Sequence, residues 1–245
     1  MRVRSNIWVL AVAALTALAG GVAGAIKVLP LDSTEGLEFH KTKGDVAVFN
    51  GRKALHVVST ERPARPGRRG PGGRPAGPPR ERPHPLVIVK GLEFHNGAIE
   101  VDLAGQPREG AGPQARGFIG VAFHVAPDLS KYEAIYLRPA NGRAEDQLRR
   151  NHSVQYISFP DYPWFRLRKE TPGKYETYAD LVPGRWTHVK IVVKGEKARL
   201  YLDGNEQPTL LVNDLKLGPD ARGAVALWTE PSTDAWFANL RITTE

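Results

Sequence analysis

Apolar residues in this chain recur with a period of two, in short segments closed off by Gly, Pro, Asn or Asp, and nowhere with a sustained period of 3.6. That pattern excludes a helical bundle and calls for antiparallel sheets whose two faces differ in chemistry. The segments that carry it are Asp45–Phe49, Ala54–Ser59, Leu86–Val89, Ala98–Leu103, Gly117–Val125, Tyr132–Arg138, Val154–Ser158, Trp186–Val193, Ala198–Leu202, Ala224–Trp228 and Trp236–Ile242. Some eleven strands exceed a minimal immunoglobulin domain and suit an all-β, two-sheet antiparallel jelly-roll sandwich.

Alternation also assigns faces. Ile99, Val101 and Leu103 point one way and Glu100 and Asp102 the other, while Val189, Ile191 and Val193 oppose His188, Lys190 and Val192. The odd-numbered positions are the expected core. Asp203, Gly204 and Asn205 mark a turn, so Ala198 to Val212 reads as a hairpin. The pentamer GLEFH occurs at Gly36–His40 and again at Gly91–His95, either as paired neighbouring strands or by coincidence.

The N-terminus combines Arg2 and Arg4, an apolar run from Ile7 to Ala19, and small residues at Ala23 and Ala25. This predicts a signal peptide over residues 1–25 and a secreted or periplasmic domain over 26–245, with no membrane-spanning segment after cleavage. The chain has no cysteine, which rules out disulfides, thiolate metal sites and cysteine nucleophiles. An exported domain of this kind depends on its core for stability.

Formal charge is +8, but seven arginines and only two acids fall within 61–85, a Pro/Gly/Arg-rich stretch with almost nothing to bury. We expect a flexible insert there, interrupting a single sandwich domain. With the insert and the signal set aside the chain is close to neutral, which argues against a specific nucleic-acid partner. No GxSxG, Walker loop, dinucleotide fingerprint or HExxH motif is present, and the histidines lack metal-ligand spacing.

The order of a GAIEVDLAG strand, a GFIGVAFHV strand, a YEAIYLRP segment, then PGRWTHVKIVVKGEKARLYLDG and a closing GAVALWTEPSTDAWFANLRI resembles the concanavalin A-like lectin/glucanase superfamily. The likeness is to its laminin-G-like and 3-keto-disaccharide hydrolase-like branches, and covers Leu37 to Ile242 apart from the insert. It implies a twisted sandwich with a concave face that often meets carbohydrate. Retaining glucanases of the superfamily carry Glu-x-Asp-x-x-Glu on one strand; here Glu100 and Asp102 begin it, and no second Glu follows. The resemblance also implies calcium in some members, for which Asp180 and Asp234 are candidates, although no ligand pattern singles out either. No other cofactor is indicated.

Tyr132 to Tyr178 holds six of the seven tyrosines, together with Trp164 and a series of arginines. Aromatic faces stack on sugar rings and guanidinium forks bind hydroxyls and carboxylates, so a carbohydrate or glycan polymer is the expected partner. The candidate ligand-binding residues are Tyr132, Tyr136, Arg138, Asn141, Arg149, Arg150, Asn151, Gln155, Tyr156, Tyr162, Trp164, Arg166 and Arg168. Tyr132, Tyr136 and Arg138 share a strand face, and Pro160 and Pro163 frame a turn that presents Trp164. Asn141–Asn151 reads either as a binding-site rim or as a solvated loop in which Arg149 and Arg150 pair with Glu145 and Asp146. Trp186, Trp228 and Trp236 read as core. A glycoside hydrolase-like enzyme is the alternative, with Glu133, Asp161 or Glu176 as acid or base beside Arg138; an adhesion module for a protein partner is a further one.

Overall fold

The computed structural model describes residues 24–61 and 83–245. The expected signal peptide, except Gly24 and Ala25, and the expected insert, except residues 61 and 83–85, lie outside the described residues.

Two antiparallel sheets face each other. The first runs in the order β13 (Leu210–Val212), β12 (Lys197–Leu202), β11 (Thr187–Lys194), β6 (Gly97–Pro107), β15 (Thr233–Thr244), β4 (Arg52–Ser59) and β3 (Thr42–Phe49), with β1 (Ile26–Leu29) paired to the far end of β15. The second runs β10 (Glu176–Thr177), β9 (Val154–Phe159), β8 (Tyr132–Leu137), β7 (Ile119–Val125), β14 (Ala224–Thr229), β5 (Leu86–Val89) and β2 (Leu37–His40). Every expected strand is present within a few residues of its expected ends.

The core lies between the sheets, where the alternation put it. Ile99, Val101 and Leu103 of β6 and Val189, Ile191 and Val193 of β11 are buried there with Val121, Phe123, Ile135, Leu137 and Phe237. Full burial of each such side chain contributes about 1.5–3 kcal/mol, which is how a cysteine-free chain stays folded. The expected hairpin forms as β12 and β13, and Asp203 and Gly204 both take positive φ at its turn, a conformation that Gly adopts without cost. The GLEFH copies do not pair with one another. The first forms β2, which pairs with β5; the second leaves the sheet after β5, with only Phe94 bridged, to Gly223.

Two short helices also form. α1 (Gln147–Asn151) is capped by Asp146, whose side chain accepts from the Arg149 backbone N–H at 3.1 Å. α2 (Trp164–Glu170) begins directly after Pro163 and is tied by an Arg166–Glu170 ion pair at 2.8 Å. The residues read as a proline-framed turn at Trp164 thus wind into a helix, because Pro163 supplies the φ that a helix entry needs and good helix formers follow it.

Candidate functional site

The outer face of the second sheet carries a second apolar cluster, built by the same alternation. Tyr132, Ala134 and Tyr136 of β8 point outward, as do Gln155, Ile157 and Phe159 of β9. Ala122 of β7 and Ala226 and Trp228 of β14 complete the row. One cross-strand line fixes the centre: Gln155 opposes Tyr136, Tyr136 opposes Gly120, and Gly120 opposes Trp228.

Gly120 is the reason the two aromatics meet. Tyr136 and Trp228 sit two strands apart, a backbone separation of roughly 9–10 Å, yet their rings stack with centroids 4.4 Å apart and planes at 16°. They close over the strand that has no side chain between them. A Cβ at position 120 would lie 2.6 Å from the Tyr136 Cβ and 2.3 Å from the Ile135 carbonyl oxygen. The alanines of the neighbouring row leave the space in which His84 packs against Trp228, 4.8 Å between centroids, and Tyr132, whose hydroxyl lies 2.6 Å from His84 Nδ1. Burial, reinforced by Lys41, holds the His84 imidazole down at about 4, so it is neutral at physiological pH.

Above this floor opens a cleft of about 520 Å³. Its lining is the loop Gly112–Arg116 with Phe118, then Asn141, Arg149, His152, Trp164 and Arg168, and Glu230, Pro231 and Ser232. The loop is tied to the segment before Asn141 by the Ala140 N–H, which donates to the Arg116 carbonyl at 3.1 Å. Helical spacing places Trp164 and Arg168 on one face of α2, the guanidinium 4.8 Å from the indole centroid. Trp164 is 40% exposed, while Tyr136 and Trp228 are each 2% exposed, so the floor is sealed and the open aromatic surface is Trp164.

Arg138 follows β8 and is held from several sides. It donates to the Tyr136 hydroxyl at 3.0 Å, to the His152 carbonyl at 2.9 Å and to Gln155 Oε1 at 3.3 and 3.4 Å. Gln155 is itself fixed by donating to the Tyr156 and Tyr175 carbonyls. Behind the lining, Glu176 is buried and accepts three hydrogen bonds from Arg168, with His152 Nδ1 2.8 Å from Oε2. Burial, aided by Arg168 and Arg138, outweighs Glu176 and lowers the His152 pKa. Burial raises that of Glu230, against the hydrogen bond from Ser232 and the charge of Arg138.

Of the residues nominated from sequence, Tyr136, Arg138, Asn141, Arg149, Trp164 and Arg168 line the cleft. Tyr132 and Gln155 support it from the same face. Arg150 instead covers Tyr178, and Asn151 accepts from Gln147. Neither pairs with Glu145 or Asp146, and nor does Arg149, whose backbone rather than its guanidinium meets Asp146. Tyr162 and Arg166 stack on each other away from the cleft. Tyr156 lies between the sheets, donating to Glu133 at 2.9 Å; both point to the interior because each sits one residue out of phase with Tyr136 and Gln155 on its strand. Glu133, Asp161 and Glu176 are not cleft-lining groups: the first is interior, the second exposed on the α2 approach, the third behind Arg168.

Sequence reading missed Trp228, Phe118, Arg116, His84 and Glu230. Trp228 is buried as expected, but on the outer face of its sheet and not between the sheets. The signal was its parity, shared with Ala224 and Ala226 and opposite to Val225 and Leu227. The other four come from loops or strand edges and join the site only through the fold.

No family model matches the sequence, and comparison with curated proteins finds no match. Solved structures do match. A Bacillus subtilis protein of unknown function with a galectin-like fold superposes with a TM-score of 0.52 at 12% identity, over 91% of this chain and 97% of its own. The carbohydrate-binding module CBM66 from Bacillus subtilis gives a TM-score of 0.50 at 13% identity, over 84% and 95%. The chain shares the two-sheet, galectin-like sandwich fold of these structures. At these identities the likeness establishes the sandwich fold, and the chemistry of the site has to come from its own residues.

Proposed function

We propose that this sandwich is an extracytoplasmic saccharide-binding domain whose ligand occupies the cleft over Tyr136 and Trp228. The observation that carries the reading is an open tryptophan, Trp164, set beside fixed donors in a recess of about 520 Å³, within the range of sites that enclose small ligands. The indole offers a stacking face for a sugar ring, and Arg138, Asn141 and Arg149 offer hydrogen-bonding groups for hydroxyls. That one of the solved sandwiches is a carbohydrate-binding module supports it. Extracytoplasmic action rests on the N-terminal signal pattern.

Binding without hydrolysis is favoured because Glu230 is the one carboxylate among the described residues lining the cleft. Glycoside hydrolysis by the usual routes needs two, flanking the bond to be broken.

Isothermal titration against a panel of oligosaccharides tests this. At least one should bind, and Trp164→Ala should weaken it about tenfold, the loss of one stacked ring, with no change in the melting temperature. Failure of every saccharide to bind, or full affinity in Trp164→Ala, would overturn the reading.

A further inference from the structure

The charges in the cleft do not balance. Four arginines, Arg116, Arg138, Arg149 and Arg168, and a single acid, Glu230, are among its described lining residues. Arg168 is neutralised by Glu176 at 2.7 Å. The other three have no carboxylate within ion-pair distance among the described residues. Arg116 donates to the Pro113 and Ala115 carbonyls and to the Gln114 side chain, Arg138 to a carbonyl, an amide and a phenol, and Arg149 Nε is buried with no hydrogen-bond partner. Glu230, whose pKa burial raises against the pull of Ser232 and Arg138, is one carboxylate set against three guanidiniums.

Partly covered cations without counter-charges repel one another. The pKa of Arg116 is lowered by burial first, then by Arg149 and Arg138. A solvated arginine cluster on an open surface would relieve this by spreading into water. Arg138 is only 5% exposed and is fixed by Tyr136, Gln155 and the His152 carbonyl, so it stays where it is. Two further buried polar atoms in the lining, Asn141 Oδ1 and Trp228 Nε1, have no hydrogen-bond partner. Buried polar groups are nearly always satisfied, so these two are open to hydrogen bonds from a ligand or from water.

We infer that the ligand is an anionic saccharide, carrying a carboxylate or sulfate group that seats among Arg116, Arg138 and Arg149 while its ring lies toward Trp164. This rests on the saccharide-binding reading of the same cleft and adds the charge of the ligand. Planar guanidiniums match carboxylate and sulfate oxygens with charge-assisted hydrogen bonds, roughly twice as strong as neutral ones. A neutral sugar would leave the three charges unmatched.

The test is titration with an oligouronate, its carboxyl-reduced counterpart of identical backbone, a sulfated oligosaccharide and neutral oligosaccharides. The expected result is that an acidic ligand binds at least tenfold more tightly than the reduced or neutral ones. Its affinity should fall as salt shortens the Debye length from ~10 to ~3 Å. Arg149→Gln and Arg116→Gln should each cost about tenfold with the acidic ligand. These two positions are less buried than Arg138, so they keep the test open should an Arg138 variant fail to fold. The uronate and sulfate arms separate the two sources of charge. If neutral and acidic ligands bind alike and both variants leave acidic affinity intact, the anionic inference is overturned while saccharide binding stands; if no member of the panel binds, both fall.

Discussion

Both sheets carry aromatic and charged side chains on their outer faces, but they deal with the charge in opposite ways. On the first sheet, Trp236 is sandwiched between Phe49, at 4.6 Å, and His56, at 4.1 Å, much as Trp228 stacks on Tyr136 on the second. Around Trp236, however, the charges are matched. Asp102 accepts from Arg52, His188 and Asn239 at 2.6–2.8 Å, and Asp234 accepts from Gln106 at 2.9 Å and pairs with His56. In the cleft, three guanidiniums have no carboxylate within ion-pair distance among the described residues. Aromatic and arginine content would mark either face as a site; what separates them is whether the protein has already spent its acids on its own cations.

The largest expected effect sharpens how the second face is built. Gly120→Val places methyl groups where even a Cβ would lie 2.3–2.6 Å from the Ile135 carbonyl and Tyr136. The backbone would have to part, and we expect destabilisation on the order of 3 kcal/mol or more, read by denaturant unfolding. A near-neutral result would mean that the Tyr136–Trp228 stack does not depend on the missing side chain.

A smaller effect separates the faces by the sign of their pH dependence. The His56 pKa is raised, chiefly by its hydrogen bond to Asp234 with a lesser pull from Asp45, so its contribution is complete below the unfolded value near 6.5 and is lost as pH rises through the folded value. The His84 pKa is lowered to about 4 by burial and by Lys41, so its contribution is present above about 6.5 and is lost as pH falls toward 4. Stability curves between pH 4 and 8 should therefore change in opposite directions for His56→Gln and His84→Gln: the first variant loses most stability relative to wild type at low pH, and the second loses its acid sensitivity. By the shift to about 4, the His84 slope amounts to up to about 3 kcal/mol over its window, and the His56 slope runs the other way. Equal slopes in both variants would contradict the contrast.

These effects also show what the chain discloses before folding. The strands and their interior faces were legible because burial on one side of a sheet imposes a period of two, as at Ile99, Val101 and Leu103. The same period put Tyr136 and Arg138 on one surface and Glu133 on the other. Which surfaces then meet was not legible. The pairing of Tyr136 with Gly120 and of Gly120 with Trp228 is a matter of register between strands up to about a hundred residues apart, and nothing local in AVALWT records it. Arg116, His84 and Glu230 reach the cleft from loops and strand edges, where no periodicity exists to read. β1 and β10 went unrecognised, since four and two residues carry little alternation, and β2 was legible only as one of two readings of the GLEFH repeat.

The smallest expected effect tests the first face directly. Arg52 meets Asp102 at 2.6 Å and lies 4.8 Å from the Trp186 ring, but it is partly exposed, and Asp102 keeps His188 and Asn239 if the arginine goes. Arg52→Met should therefore cost no more than about 1 kcal/mol, the usual scale of a solvent-screened ion pair. Its affinity for saccharide should match wild type, because the group it frees faces the opposite side of the sandwich from the cleft. Glu100 and Asp102, the start of an unfinished glucanase motif, stand on that same outer face, with Asp102 held by three donors and Glu100 3.8 Å from His188. If Arg52→Met weakened binding as strongly as Trp164→Ala, the ligand would be meeting the first sheet, and the matched charges around Asp102 would have to be read as a site and not as a finished surface.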